Sequence, residues 1–205
     1  MNSYFEMLQS KRLLIFDFDG TVADTTPLHA AAFSQVLAPL GIEVDYSCIA
    51  GLKTLDAMRQ CLQGAGRTLD DARLTELVAA KQQCVRQMIS QALQPLPGVD
   101  AFLRWARPNY KLAMVTSGSR GTVNLALAKL GYTGWFDPLI CADDVLLSKP
   151  APDGFLKALQ LTGVAACDAL VFEDSKAGFD AAALARLNYV NVRQTDWSTM
   201  VAIPQ

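Results

Sequence analysis

The chain has 205 residues, of which 51% are hydrophobic, and its formal net charge at pH 7 is −2. This length and apolar content suit one globular domain, or one domain with a smaller insertion. Lys and Arg are scattered along the sequence, so we expect neither a nucleic-acid partner nor a polybasic membrane anchor. The expected partners are small molecules.

The cysteines and the beginning of the chain indicate the compartment. The five cysteines are widely spread and include no C-x-x-C pair, so neither a disulfide framework nor a zinc site is predicted. Residues 1–12 lack a basic segment followed by a long apolar one, and no apolar run reaches about 18 residues. We therefore expect a reduced protein in the cytoplasm, without a membrane segment.

Leu13–Phe16 is a short continuous apolar run, typical of a strand buried on both faces of a parallel sheet. Four later runs have the same form: 111–115, 138–141, 169–172 and 189–192. Between them, apolar positions at a helical period predict helices at 98–107, 122–130, 154–161 and 177–187. This alternation predicts an α/β fold with a doubly wound parallel sheet.

The segment between the first and second strands breaks the alternation. It reads as three amphipathic helices without an intervening strand, at 27–40, 55–62 and 69–92. Thr26 is the predicted N-cap of the first, followed by Pro27. The connections at 22–26 and 94–98 make a hinge plausible. The predicted division is an α-helical cap domain at 26–94 and an α/β core domain at 1–25 and 95–205.

Polar side chains follow the predicted strands, at the edge where ligands bind to open parallel sheets. The candidates are Asp17, Asp19, Thr116, Ser117, Gly118, Lys149, Glu173 and Asp174. Carboxylates, hydroxyls, glycine backbone and a lysine together suit a hard cation and a phosphoryl group. The sequence therefore predicts phosphate chemistry at this edge.

Four motifs stand in order along the chain: D-F-D-G-T at 17–21, V-T-S-G-S at 115–119, S-K-P-A-P-D at 148–153 and F-E-D-S-K-A-G at 172–178. They resemble the four motifs of the haloacid dehalogenase-like (HAD) hydrolase superfamily, and the resemblance covers nearly the whole chain. The helical insertion is similar to the cap of the subgroup containing β-phosphoglucomutase, phosphoglycolate phosphatase and sugar-phosphate phosphatases.

The resemblance implies that Asp17 is the nucleophile that forms an aspartyl phosphate. An ionised carboxylate suits this role at neutral pH. Asp19 would protonate the leaving oxygen and then deprotonate the attacking water, so that one residue serves both steps. Gly20 would give the turn the freedom to aim Asp19. The alternative interpretation is that both acids cap a turn or bind a structural ion.

The resemblance also implies a Mg²⁺ cofactor, held by Asp17, the backbone carbonyl of Asp19, and Asp174. Glu173 would be an alternate ligand or lie just outside the ligand sphere. Like charges about 4 Å apart cost on the order of 4 kcal/mol at an effective dielectric of 20. Several carboxylates beside a phosphate therefore require a cation.

Three further loop positions are expected to bind the phosphoryl group. Lys149 would neutralise its oxygens, while the Thr116 hydroxyl and the N–H groups around Ser117 and Gly118 would cradle it. The alternatives are a solvated lysine and a threonine that satisfies the backbone at a strand end.

The cap offers two candidate substrate-binding residues. His29 resembles a histidine at the active-site entrance of sugar-phosphate enzymes, although a lone histidine on a helix is more often structural. Lys53 belongs to a loop that resembles one reaching into the site. Its neighbour Thr54 replaces the arginine that β-phosphoglucomutase-like sequences use for a second phosphate, which disfavours a mutase.

The leading hypothesis is a Mg²⁺-dependent phosphatase that hydrolyses a small phosphate monoester, foremost a sugar phosphate. The nearest alternative is a hexose-phosphate mutase of β-phosphoglucomutase type. A receiver-like phosphoacceptor regulator is the alternative outside the enzymes, but receivers are shorter and lack a cap. Substrate identity and oligomeric state stay open from the sequence.

Overall fold

The computed structural model describes residues 3–200, including all side chains in that range except those of residues 3–5 and 199. The ends of the predicted core domain, residues 1–2 and 201–205, lie outside this range. Within it, the chain forms one parallel sheet of five strands: β1 (Leu13–Phe16), β2 (Lys111–Val115), β3 (Leu139–Ile140), β4 (Ala169–Glu173) and β5 (Asn188–Asn191).

Helices connect the strands. The α-helices in residues 3–200 are α1 (Ser3–Gln9), α2 (Thr26–Leu37), α3 (Thr54–Gly64), α4 (Asp71–Ala92), α5 (Val99–Ala106), α6 (Arg120–Leu130), α7 (Asp153–Thr162), α8 (Lys176–Leu184) and α9 (Trp197–Met200). Short 3₁₀ helices cover Ala38–Leu40, Tyr46–Cys48, Ala142–Asp144, Ala166–Asp168 and Val192–Gln194. None of the helices in this range combines the length and apolar content needed to cross a membrane.

The sheet has the order β3-β2-β1-β4-β5, with β1 in the centre. Each residue of β1 is fully buried, as expected for a strand covered on both faces. Phe16 lies opposite Met114 of β2 and Phe172 of β4, so the three strands end within one residue of the same level. The residues that follow these strands are thereby brought to one edge.

The two faces of the sheet pack against different helices, because side chains alternate along each strand. Leu14 and Phe16 face a core that includes residues of α5, α6 and α9, where Phe16 stacks on Phe172 with ring centroids 4.8 Å apart. Leu13 and Ile15 face the opposite core, formed with residues of α7 and α8. The predicted doubly wound parallel sheet is confirmed.

The inserted helices have an apolar core of their own. Phe33 and Leu37 of α2 pack with residues of α3 and with the first half of α4, including Leu74. The second half of α4 reaches the main core, where Val85 is buried. The insertion between β1 and β2 is therefore helical, as predicted, and α4 joins its core to that of the sheet.

The two linkers to the insertion lie side by side. The N–H of Leu96 donates to the carbonyl of Val22 over 3.0 Å, and that of Asp24 donates to the carbonyl of Gln94 over 3.4 Å. The domain boundaries at residues 26 and 94 fall beside this pairing and stay a prediction.

The beginning of α2 differs from the sequence prediction. Thr26 is already helical, and Thr25 occupies the N-cap position without a capping hydrogen bond from its side chain. The Thr25 backbone lies in the αR region, with φ −92° and ψ −13°, rather than in the extended region usual for an N-cap, and its hydroxyl is turned towards Asp19, to which it donates over 2.6 Å. Thr25 therefore precedes the first residue of α2 and contacts Asp19 at the edge of the sheet.

Gly178 provides a test of the packing between α8 and the end of β4. A Cβ at Gly178 would lie 1.9 Å from Cδ of the buried Glu173. We expect Gly178→Ala to lower the free energy of unfolding by about 2 kcal/mol or more, because the Glu173 carboxylate accepts hydrogen bonds from Lys149 and Ser175 and cannot move without losing them. Urea unfolding measures the change.

Gly121→Ala is the matched control, since Gly121 also lies in the first turn of a helix and is exposed. A Cβ there would approach no closer than 3.6 Å, to the end of the Arg86 side chain. Helix propensity should make this substitution neutral or stabilising by up to about 1 kcal/mol. Equal effects of the two substitutions would contradict the packing argument.

Candidate functional site

The carboxyl edge of the sheet brings the predicted polar residues together. Asp17 follows β1, Thr116 follows β2, and Glu173 ends β4 directly before Asp174. Asp17, Glu173 and Asp174 are buried, and each offers a carboxylate oxygen such that these atoms lie within 4.8 Å of one another. The expected convergence of these loops is observed.

Lys149 connects two of these carboxylates. Its Nζ donates to Oδ1 of Asp17 and to Oε2 of Glu173, in both cases over 2.6 Å. Burial alone would lower the pKa of Lys149, but the two carboxylates raise it above its ordinary value. Lys149 is therefore held as a cation between the two acids, and the alternative of a solvated lysine is wrong.

Glu173 is fixed through both of its oxygens. Oε1 accepts from the N–H groups of Asp174 and Ser175 over 3.1 and 3.0 Å, and from the Ser175 hydroxyl over 2.8 Å. Oε2 accepts from Lys149. The Ser175 hydroxyl also accepts from the Gly178 N–H and so caps α8. Both oxygens of Glu173 thus accept hydrogen bonds, one from Lys149 and the other from the loop after β4.

The site fits a divalent cation by its charge. Burial, followed by Glu173, raises the pKa of Asp17 well above its ordinary value, and Lys149 opposes this shift only in part. The pKa of Asp174 is also raised, mainly by burial. Two acids whose ionised forms are disfavoured, next to a third, form a donor set that a hard cation would stabilise.

Gly20 brings the loop after β1 close to Asp174. Its φ is +81°, in the left-handed region that favours glycine. A Cβ there would lie only 2.5 Å from Oδ2 of Asp174. The backbone beside Asp19 thereby lies against Asp174, as the predicted participation of the Asp19 carbonyl requires. That participation stays a prediction.

Asp19 lies at a cavity between the sheet and the inserted helices. The lining of this cavity includes Asp17, Asp19, His29, Lys81, Ser117 and Gly118. Oδ1 of Asp19 accepts from the Thr25 hydroxyl and lies 3.4 Å from Nε2 of His29, without the alignment of a hydrogen bond. Burial would raise the pKa of Asp19, but His29 and the Thr25 hydrogen bond lower it to about 2.

A buried lysine extends this contact into the inserted helices. Nζ of Lys81 lies 2.8 Å from Nδ1 of His29 and 4.6 Å from the centroid of the Phe33 ring. Because a protonated lysine can only donate, Nδ1 accepts, and the imidazole hydrogen is assigned to Nε2, which faces Asp19. Burial lowers the pKa of Lys81 to about 8, although Asp19 opposes the shift.

Sequence reasoning missed Lys81, but the sequence contained a signal. Lys81 falls within the buried stripe of α4 that also contains Leu74, Leu77, Val85 and Ile89. A lysine at such a position is rarely fully buried without a partner. His29, for which a structural role was the alternative, belongs to the same cluster and is 8% exposed.

The loop after β2 offers hydrogen-bond donors. The Gly118 N–H donates to the Thr116 hydroxyl over 3.0 Å, which leaves the hydroxyl hydrogen available. Ser117 lines the cavity, and its buried hydroxyl has no hydrogen-bond partner in residues 3–200. The predicted phosphoryl-binding positions are thus next to the acids.

The loop before α3 also reaches the cavity, but not through the predicted lysine. Gly51, Leu52 and Thr54 line it, whereas Lys53 is absent from its lining. Lys53 instead occupies the N-cap position of α3 and is partly exposed. The neighbouring Tyr46 also lines the cavity, and burial raises its pKa. The loop approach is observed, while Lys53 is not brought to the acids.

The buried lysine generates a prediction about stability and pH. Its pKa is about 8 when folded and 10.5 for an ordinary lysine, so between these values the unfolded chain binds more protons. The wild-type free energy of unfolding therefore gains from Lys81 as the pH rises through this window. Lys81→Met removes this contribution, and its stability relative to wild type should fall by up to about 3 kcal/mol from neutral pH to about pH 10.

Urea unfolding of both proteins across this range measures the effect. Lys176→Met is the control, because the Lys176 side chain is 87% exposed and its difference from wild type should stay nearly constant. A constant difference for Lys81→Met would show that the lysine is not buried as a perturbed base.

Comparison with known proteins identifies the family. The sequence profile of the haloacid dehalogenase-like hydrolases matches residues 14–192. Fructose-1-phosphate phosphatase YqaB from Escherichia coli is 36% identical over 184 residues, which cover 88% of this chain and 95% of that protein. Protein CbbY from Rhodobacter capsulatus is 33% identical over 192 residues, 87% of this chain and 84% of CbbY.

A solved structure shows the same fold. β-Phosphoglucomutase from Clostridium difficile superposes with a TM-score of 0.83 over 94% of each chain, at 22% sequence identity. At this identity the likeness concerns the fold alone. The family match and the two relatives confirm the resemblance read from the four motifs: the chain belongs to the haloacid dehalogenase-like hydrolases.

Proposed function

We propose that this protein is a Mg²⁺-dependent phosphatase that hydrolyses a small sugar phosphate through an aspartyl phosphate on Asp17. The observation that carries the proposal is the joint placement of Asp17, Lys149 and Asp174 at the sheet edge, with Asp19 lining the same cavity. The phosphatase relative supports the reaction class.

Asp17 is suited to attack phosphorus. Lys149 donates to Oδ1, and within the described residues Oδ2 accepts no hydrogen bond. The hydrogen bond restrains the carboxylate while its other oxygen stays available as nucleophile. Lys149 would also stabilise negative charge on the transferring phosphoryl group.

Asp17, Asp174 and the Asp19 backbone carbonyl would hold the Mg²⁺ ion. When bound, the ion would neutralise the carboxylates and the phosphate, and so favour the ionised form of Asp17. Glu173, whose oxygens already accept from Lys149 and Ser175, would support the site from outside the ligand sphere.

Asp19 would move the protons in both steps. With a pKa of about 2 in the free protein it is ionised, and the ionised form is the one that can accept a proton from the water that attacks the aspartyl phosphate. Protonation of the leaving oxygen requires the acid form. A phosphate monoester in the cavity would add negative charge beside Asp19 and raise its pKa towards that form.

The remaining residues would bind the substrate. The Thr116 and Ser117 hydroxyls and the Ser117 N–H would donate to the phosphoryl oxygens, Gly118 would line the cavity beside them, and His29 and Lys81 would contact the rest of the molecule from the cap. The cap at residues 26–94 would close over the substrate and exclude water, with the paired linkers as its hinge. Lys53 is proposed only as a residue of the cap surface near the entrance.

The first test is dependence on Asp17 and on metal. Asp17→Asn should reduce phosphate release by at least about 10³-fold, because the amide is a poor nucleophile. A chelator should abolish wild-type turnover, and added Mg²⁺ should restore it. Phosphate release from fructose 1-phosphate and other sugar phosphates measures both.

Asp24→Asn is the matched control, because Asp24 is exposed and its side chain lies outside the cavity lining. It should retain wild-type turnover. Circular dichroism should show that both variants are folded. Metal-independent turnover, or full activity of Asp17→Asn, would refute the proposed mechanism.

The second test concerns the choice of substrate and the fate of the phosphoryl group. The cavity is covered by cap residues including Phe33 and Tyr46, and it has Thr54 where a mutase would need an arginine. We expect kcat/KM for sugar phosphates to exceed that for nucleotides by about tenfold or more, since a nucleoside is larger than a sugar and would have to displace the cap side chains that cover the cavity. With β-glucose 1-phosphate, inorganic phosphate should appear without glucose 6-phosphate. Isomerisation without phosphate release would instead support the mutase.

A further inference from the structure

Asp174 has a charged partner that the four motifs do not contain. The Arg193 guanidinium donates to Oδ2 of Asp174 through Nη2 over 2.7 Å and through Nε over 3.1 Å. Among the described residues, no hydrogen bond reaches the other oxygen, Oδ1. One oxygen of this carboxylate is therefore held and the other is left available.

Arg193 is itself fixed at its backbone. It lies in the 3₁₀ helix Val192–Gln194 directly after β5, and its N–H donates to the Asn191 side chain over 3.1 Å. Val192, the preceding residue, is buried. The arginine thus projects from a fixed turn at the same edge of the sheet, 19 residues from Asp174 in the sequence.

We propose that Arg193 is a positioning residue that orients Asp174 so that its free oxygen can bind the divalent cation. The proposal rests on the function proposed above only in assigning a cation to Asp174. Orientation is chosen because two donors of one planar guanidinium converge on Oδ2, which restricts the position of this oxygen more than a single donor would.

A contrary effect has to be weighed. Arg193 is positively charged, so its removal would also relieve repulsion of a cation. The Arg193 side chain is 58% exposed, however, and water screens its charge so that this effect is worth a few-fold in affinity at most. Loss of a residue that orients a metal ligand typically costs 10- to 100-fold. Orientation should therefore dominate.

The test compares Mn²⁺ binding, measured by electron paramagnetic resonance of the free ion, in wild type, Arg193→Ala and Arg193→Lys. Arg193→Ala should bind Mn²⁺ about tenfold more weakly or worse. Arg193→Lys keeps the charge but loses the fork, so its affinity should be intermediate. Lys176→Ala removes an exposed charge two residues from Asp174 and should bind like wild type.

Turnover gives a second readout. If Arg193 acts through the cation, the Mg²⁺ concentration for half-maximal phosphate release should rise about tenfold in Arg193→Ala, while kcat at saturating Mg²⁺ should stay within a few-fold of wild type. Thermal unfolding in the presence of chelator separates these effects from a loss of folding.

The outcomes distinguish this inference from the proposed function. Unchanged or tighter Mn²⁺ binding by Arg193→Ala would overturn the positioning role, as would equal affinities of wild type and Arg193→Lys. Weaker Mn²⁺ binding together with no phosphate release by wild type would support the role of Arg193 and refute the phosphatase. Absence of Mn²⁺ binding by wild type would overturn both.

Discussion

The candidate site depends on the ion pairs between Lys149 and the two buried acids Asp17 and Glu173. Removal of a charge from water costs several kcal/mol even after relaxation, and a single uncompensated carboxylate at this depth would change its protonation state. Lys149 lies within 2.6 Å of both acids, and Glu173 is held in turn by the turn that begins α8. The nucleophile proposed here is thus aligned by a chain of contacts that extends from one strand end to the next.

A second series of polar contacts runs from the sheet into the inserted helices. Asp19 contacts Thr25 in the linker and His29 in α2, and His29 contacts Lys81 in α4. Any movement of these helices relative to the sheet would change the groups around Asp19. A substrate that moves these helices as it enters would therefore also change the pKa of Asp19, because each residue in this series directly contacts the next.

The sequence predicted the fold and the convergence of the polar residues that follow the strands. Buried strands such as Leu13–Phe16 are continuous apolar runs, and the acids that follow them stand next to the strand ends in the chain. Lys81 and Arg193 are far in the sequence from the residues that they contact, His29 and Asp174. Their placement depends on tertiary side-chain packing, which the spacing of apolar residues in the sequence does not predict. Thr25 was missed because Thr26, next to Pro27, was the predicted N-cap, and nothing in the sequence pattern places the Thr25 hydroxyl beside Asp19.

The buried polar atoms without a hydrogen bond indicate what kind of ligand the cavity binds. A buried hydroxyl or ring nitrogen without a partner costs about 1–3 kcal/mol, so folded proteins contain few of them. Within the described residues, four buried side-chain atoms have no hydrogen bond. Two of them are the Ser117 hydroxyl and Nε2 of His29, which lies 3.4 Å from Asp19 without hydrogen-bond alignment, and both residues line the cavity. Water or substrate oxygens can satisfy both. A ligand with several oxygens at one end and hydroxyls at the other would satisfy them together, which is the chemistry of a sugar phosphate.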